Sequence, residues 1–148
     1  MQLDELLAQA KALPSIPRVV SEVSAELNTE EPDARRISEA IGTDPALTAR
    51  LLKLANSAFF GLSREILSVQ DAVNILGFNQ LRTTVQAVAL GRSFKAVPGV
   101  NLEQFWRYSL NSAKICRTLA RSMRLNEGAA FTAGLVHAVG DLVLHIGL

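Results

Sequence analysis

Apolar residues recur along this chain at the three- and four-residue spacing of an α-helix, and no window alternates apolar and polar positions as a half-buried strand would. The pattern predicts an all-α protein. The clearest helix opens at Thr43-Asp44-Pro45, where Thr43 or Asp44 suits the cap and Pro45 the first turn. Leu47, Leu51, Leu54 and Ala58 then share one face, and Gly61 is the expected stop. Ser68-Val69-Gln70-Asp71 has capping-box spacing and predicts a short helix ending at Gly77. Asn79 is the expected cap of the next helix, which carries Leu81, Val85, Val88 and Ala89 inward until the break at Val97-Pro98-Gly99. Beyond the break, Asn101 is placed to cap a long helix with Leu102, Phe105, Ser109, Ala113, Cys116, Ala120 and Met123 on one stripe. A last helix is expected from near Glu127 to the chain end, as a buried core helix. His137, Asp141, His145 and recurrent glycines interrupt its apolar run, which argues against a membrane span.

The chain has 148 residues, 49% of them hydrophobic and 20% charged, which fits one well-filled core and excludes intrinsic disorder. The acidic opening Met1-Gln2-Leu3-Asp4-Glu5-Leu6-Leu7 lacks the basic start and apolar run of a secretory signal. With Cys116 as its single cysteine, the chain can form no internal disulfide, and the expected setting is reducing and cytoplasmic. The segment ends within the apolar run Leu142 to Leu148, so its C-terminal part is expected either to be cut short or to pack on a partner.

Charge distribution says more than the net charge of +1. Residues 1–74 carry 7 basic and 11 acidic side chains, and residues 75–148 carry 8 and 3. Arg107, Lys114, Arg117, Arg121 and Arg124 form a basic stripe in the long-helix region, with no acid between Glu103 and Glu127. Such a stripe is either a solvated outer face or a docking surface for an oxyanion or an acidic protein. Aromatic residues are only 5%, too few for base-stacking platforms, and no specific nucleic-acid binding is expected.

The sequence contains no phosphate loop, dinucleotide fingerprint, zinc-protease helix or nucleophile elbow. His137, Asp141 and His145 recur every four residues but drift around a helix by roughly 80°, so they read as hydrogen-bonded polar groups rather than ligands of one ion. Cys116 lies on the apolar stripe and reads as a small core hydrophobe. Asn56-Ser57, near the end of an apolar helix, are expected to bond to nearby backbone.

Several segments together resemble one family. They are Leu13-Pro14-Ser15-Ile16-Pro17, the block from Asp44-Pro45-Ala46-Leu47 through Asn56-Ser57-Ala58-Phe59-Phe60-Gly61, Ile66 to Ala72, Leu76-Gly77 with Leu81-Arg82, Phe105 to Ser109, and Ala133 to His137. In this order they resemble the HD-related output domain, HDOD. The resemblance implies an all-α, multi-helical bacterial signalling domain akin to HD phosphohydrolases. It implies a single domain over 1–148, with an N-terminal helical lobe to residue 96 and an incomplete HD-like lobe over 97–148. HD enzymes hold divalent metal through a first His, a His-Asp pair and a later Asp. At the corresponding positions this chain has Tyr108 and His137-Ala138, so neither metal nor cofactor is expected. His137 is then expected to be a hydrogen-bonding core residue. The reading is a non-catalytic module that contacts other signalling proteins through a surface including the basic stripe, with oligomerisation left open. The alternatives are a regulatory nucleotide or cyclic-dinucleotide binder at the vestigial cleft near Tyr108 and His137, and a residual metal-dependent phosphohydrolase.

Overall fold

The computed structural model describes residues 14–90 and 97–147, and among them every regular element is a helix. Helix α1 (Pro17–Leu27) has its proline in the first turn, where a missing amide proton costs nothing. Helix α2 (Ala34–Ile41) is capped by Asp33, whose carboxylate accepts from the amides of Arg35 and Arg36. Helix α3 (Pro45–Ala55) is capped by Asp44, and α4 (Val69–Leu90) contains a break at Gly77. Asn101 and Asn126 cap α5 (Leu102–Ser122) and α6 (Glu127–Val136), each accepting an amide three residues on. The last helix is α7 (Val139–Gly147).

The four-residue spacing of the apolar positions explains the core. Val19, Val23 and Leu27 on α1, Ile37 and Ile41 on α2, Leu47 and Leu51 on α3, and Leu81, Val85 and Val88 on α4 are all buried in one cluster. Each such side chain contributes on the order of 1.5–3 kcal/mol relative to exposure. Helices α5 and α6 pack side by side, and their closest approach is at Gly134. A Cβ on this residue would lie 2.9 Å from both Ala113 Cα and Cys116 Sγ. A smaller cluster joins Ala46 of α3 to Leu142 of α7, with Phe105 and Ile146 packed against it. Helix α3 thus belongs to both clusters.

The helical class and the caps at Asp44 and Asn101 are as the pattern predicts, but several boundaries differ. Helix α3 ends at Ala55 rather than at Gly61, and Ala58 is exposed, because Asn56 turns the chain out of the helix. Gly77, at φ 74° and ψ 167°, breaks the helical path as expected. Asn79 does not cap the continuation; its side-chain oxygen instead accepts from Arg82. Ala89 and Met123 are exposed rather than inward-facing. Arg124 lies beyond the end of α5, with φ 55°. The expected single C-terminal helix is interrupted at His137–Ala138 into runs of 10 and 9 residues. Glu127–Ile146 is apolar and long enough for a span by composition, but each run falls short of the roughly 20 residues that a bilayer requires. Only part of it is buried, chiefly Thr132, Gly134, Leu135 and Leu142. The Met1–Leu7 opening, Leu13, the lobe boundary at Ala96 and the terminal Leu148 lie outside the described residues.

Candidate functional site

The residues that carry the family resemblance in the first half act as fasteners. Asp44 is fully buried, and its two carboxylate oxygens accept from the Leu47 amide at 3.0 Å and from the Ile16 amide at 2.9 Å. One side chain therefore caps α3 and also holds the residue that leads into α1. Burial pushes its carboxyl from 3.8 up to about 6, against the opposing pull of these amides and of Ser15. Burial likewise lowers the neighbouring Arg50, while the charge of Asp44 works in the other direction.

Asn56 bonds to nearby backbone at Leu52, as expected, but its other two bonds reach Ile66, ten residues on. Its Nδ2 donates to the carbonyls of Leu52 and Ile66, and its Oδ1 accepts from the Ile66 amide at 2.7 Å. The loop of residues 57–65, with Gly61 at φ 53°, is closed by this pair. The neighbouring Ser57 hydroxyl is buried and has no hydrogen-bond partner among the described residues. Pro45 occupies the first turn of α3. Arg82 donates to the Leu27 carbonyl at 2.7 Å and so ties the last residue of α1 to α4. These residues build the scaffold.

Tyr108 on α5 and His137 at the end of α6 come together. His137 Nδ1 is 2.6 Å from the Gly134 carbonyl, and its Nε2 is 3.1 Å from the Tyr108 hydroxyl. A carbonyl can only accept, so Nδ1 carries a proton, and Nε2 shares a hydrogen bond with the Tyr108 hydroxyl. Both nitrogens are then engaged. The pair is exposed, which corrects the expectation that His137 is a core residue; the imidazole caps the last turn of α6 from outside. At the positions that the resemblance assigns to the HD metal ligands, the Tyr108 phenol and the Ala138 methyl do not fit such a metal. His145 turns to the Asp141 carbonyl at 2.7 Å, and no cluster of three His, Cys, Asp or Glu exists among the described residues.

The outer face of α5 carries several exposed apolar side chains beside a basic row. Tyr108, Ile115, Leu119 and Met123 are each more than half exposed, as is Leu125 just beyond the helix. At 100° per residue the first three fall within about 40° of one another, with Arg107, Lys114 and Arg121 forming a parallel row about 80–120° away from Ile115. Arg121 is paired with Glu127 at 2.7 Å, and the guanidinium of Arg117 lies 4.1 Å from the centroid of the Phe131 ring. Arg107, Lys114, Arg117, Arg121 and Arg124 are all exposed. The basic row was legible in the sequence. The apolar row beside it was not, because the periodicity of α5 does not say which apolar positions find a neighbour.

The HDOD domain family matches residues 13–147 of this chain. Among curated proteins, the uncharacterized protein YuxH of Bacillus subtilis is 29% identical over 124 residues, covering 84% of this chain and 30% of YuxH. An uncharacterized protein of Treponema pallidum is 26% identical over 133 residues, covering 88% and 26%. Among solved structures, the MmoQ response regulator of Methylococcus capsulatus superposes with a TM-score of 0.78 at 28% identity over 90% of this chain and 55% of that one. A virulence factor of Campylobacter jejuni gives 0.75 at 25% identity over 95% and 52%. The chain thus spans about half the length of these solved relatives and less than a third of the curated ones.

Proposed function

The chain belongs to the HDOD domain family, and on that premise we propose that it is a non-catalytic, cytoplasmic signal-transduction module that works by protein contact. The observation that carries the reading is the outer face of α5, where Tyr108, Ile115 and Leu119 stand exposed beside Arg107, Lys114 and Arg121. Exposed apolar area in register with like charge is the usual composition of a docking surface, since burial supplies affinity while charge selects the partner. The presence of a response regulator among the structural relatives supports a signalling role. The engagement of both His137 nitrogens supports the absence of metal-dependent phosphoester chemistry.

The test is a quantitative pull-down with the wild-type chain and an Ile115→Glu/Leu119→Glu variant. These side chains are exposed, so folding should be unaffected, which circular dichroism checks. A partner held by the wild type and lost by the variant is expected. A partner set that is the same for both proteins would overturn the docking surface, and phosphodiester turnover with added manganese or magnesium would overturn the non-catalytic reading.

A further inference from the structure

Between α2, the start of α4 and the α5–α6 pair lies a cavity of about 370 Å³. This is within the range of small-molecule sites, near its lower end. Of the polar groups in its wall, Ser38 and Thr43 give their hydroxyl protons to the Ala34 and Ala40 carbonyls, and the charged groups are two cations and one carboxylate. Lys114 and Arg117 enter from α5, and neither has an acidic partner among the described residues. Arg117 is held in place by the Phe131 ring.

Two nearly buried hydroxyls, Ser68 and Thr132, also line the cavity. Ser68 Oγ accepts the Asp71 amide at 3.2 Å, and Thr132 Oγ1 accepts the Val69 amide at 3.4 Å. A hydroxyl whose lone pair takes an amide still has its own proton to give. Both groups sit at the N-terminus of α4, where the helix dipole is positive. The one carboxylate in the wall, Glu39, is paired with Arg35 at 3.1 Å.

We infer that this cavity binds a small phosphorylated metabolite of mononucleotide size. Its phosphate would lie between the cations of Lys114 and Arg117 and the hydroxyls of Ser68 and Thr132, and its body against Leu110 and Phe131. Two cations without acidic partners match a dianionic phosphate, whereas a carboxylate would leave one charge unanswered. The site is distinct from the Tyr108–His137 contact; it shares Lys114 with the basic row of the outer α5 face and none of the exposed apolar residues there.

The probes are AMP, inorganic phosphate and adenosine, titrated calorimetrically into the full chain. AMP should give saturable heat that weakens with added salt, inorganic phosphate should compete with it, and adenosine should give none. Lys114→Gln and Ser68→Ala should each weaken AMP binding about tenfold, the loss of one hydrogen bond to a charged group, while Arg107→Gln leaves it unchanged. The exposed Lys114 is dispensable for folding, which keeps the test valid if Ser68→Ala loosens the cap of α4. Absence of saturable heat from AMP and phosphate would overturn the inference. So would equal heat from adenosine, or AMP binding unaffected by Lys114→Gln. None of these results bears on the pull-down with Ile115 and Leu119, so the two readings fail separately.

Discussion

Replacing Gly134 by alanine should destabilise the protein, although the same change in most helices is favourable. A Cβ at this position meets Ala113 Cα and Cys116 Sγ at 2.9 Å and the Ser112 carbonyl oxygen at 3.0 Å. Ordinary contact begins near 3.4 Å, so α5 and α6 must separate by about 0.5 Å or more along their shared face. Overpacking of this kind costs about 1–3 kcal/mol. It is offset by up to about 1 kcal/mol from the better helix propensity of alanine, which leaves a net loss of up to about 2 kcal/mol.

Gly140→Ala is the control, because nothing lies within 4 Å of the added methyl. It should be neutral or gain about 0.5 kcal/mol. Both are read from the midpoint of urea unfolding followed by far-ultraviolet circular dichroism, with the slope unchanged. Adding Cys116→Ala to Gly134→Ala should recover less than half the loss, since two of the three close atoms belong to the backbone of α5. Equal stability of the Gly134→Ala and Gly140→Ala proteins would refute the tight approach of α5 and α6. Complete rescue by Cys116→Ala would show that the sulfur alone sets the spacing.

The carboxyl of Asp44 is pushed to about 6 in the folded protein against 3.8 ordinarily, so between these values the folded state binds more protons. Its contribution to stability is therefore full below pH 3.8 and is lost as pH rises through 6, a change of about 3 kcal/mol at 1.36 kcal/mol per unit. The stability of the wild type relative to Asp44→Asn should rise as pH is lowered from 7 to 4.5, and a difference that stays constant with pH would contradict it. Asn56→Ala removes three hydrogen bonds, two of them to Ile66, and should cost about 2 kcal/mol. Limited proteolysis should then cut the 57–65 loop faster than in the wild type, and an unchanged cleavage rate would argue against the clamp.

The elements legible in the sequence are those fixed by local chemistry. Asp44 and Asn101 cap the helices that follow them because an acceptor placed three residues before a free amide is a short-range signal. Where a distant partner decides, the pattern misleads. The end of α3 depends on Ile66, ten residues beyond Asn56, and the spacing of Leu47, Leu51, Leu54 and Ala58 runs past that end without registering it. Asn79 resembles a cap in the sequence, yet it serves Arg82, which itself reaches back 55 residues to Leu27. Helices α1 and α2 leave a weaker local signal, since α1 has no side-chain cap and α2 is only 8 residues long. The cavity at Lys114 and Arg117 was only half visible. The basic row could be read, but Ser68, Phe131 and Thr132 come from segments that only tertiary packing brings together.

The two-way bond between Asn56 and Ile66 has a consequence for engineering. Because a single side chain pins both ends of the intervening stretch, its length is decoupled from the rest of the molecule, and extra residues there add only the slowly growing entropy of a longer closed loop. Phe59 and Gly61 already project into solvent. An epitope or fluorophore-binding tag spliced in after Gly61, past Phe60, which packs against the larger cluster, would report on the protein while leaving both apolar clusters intact.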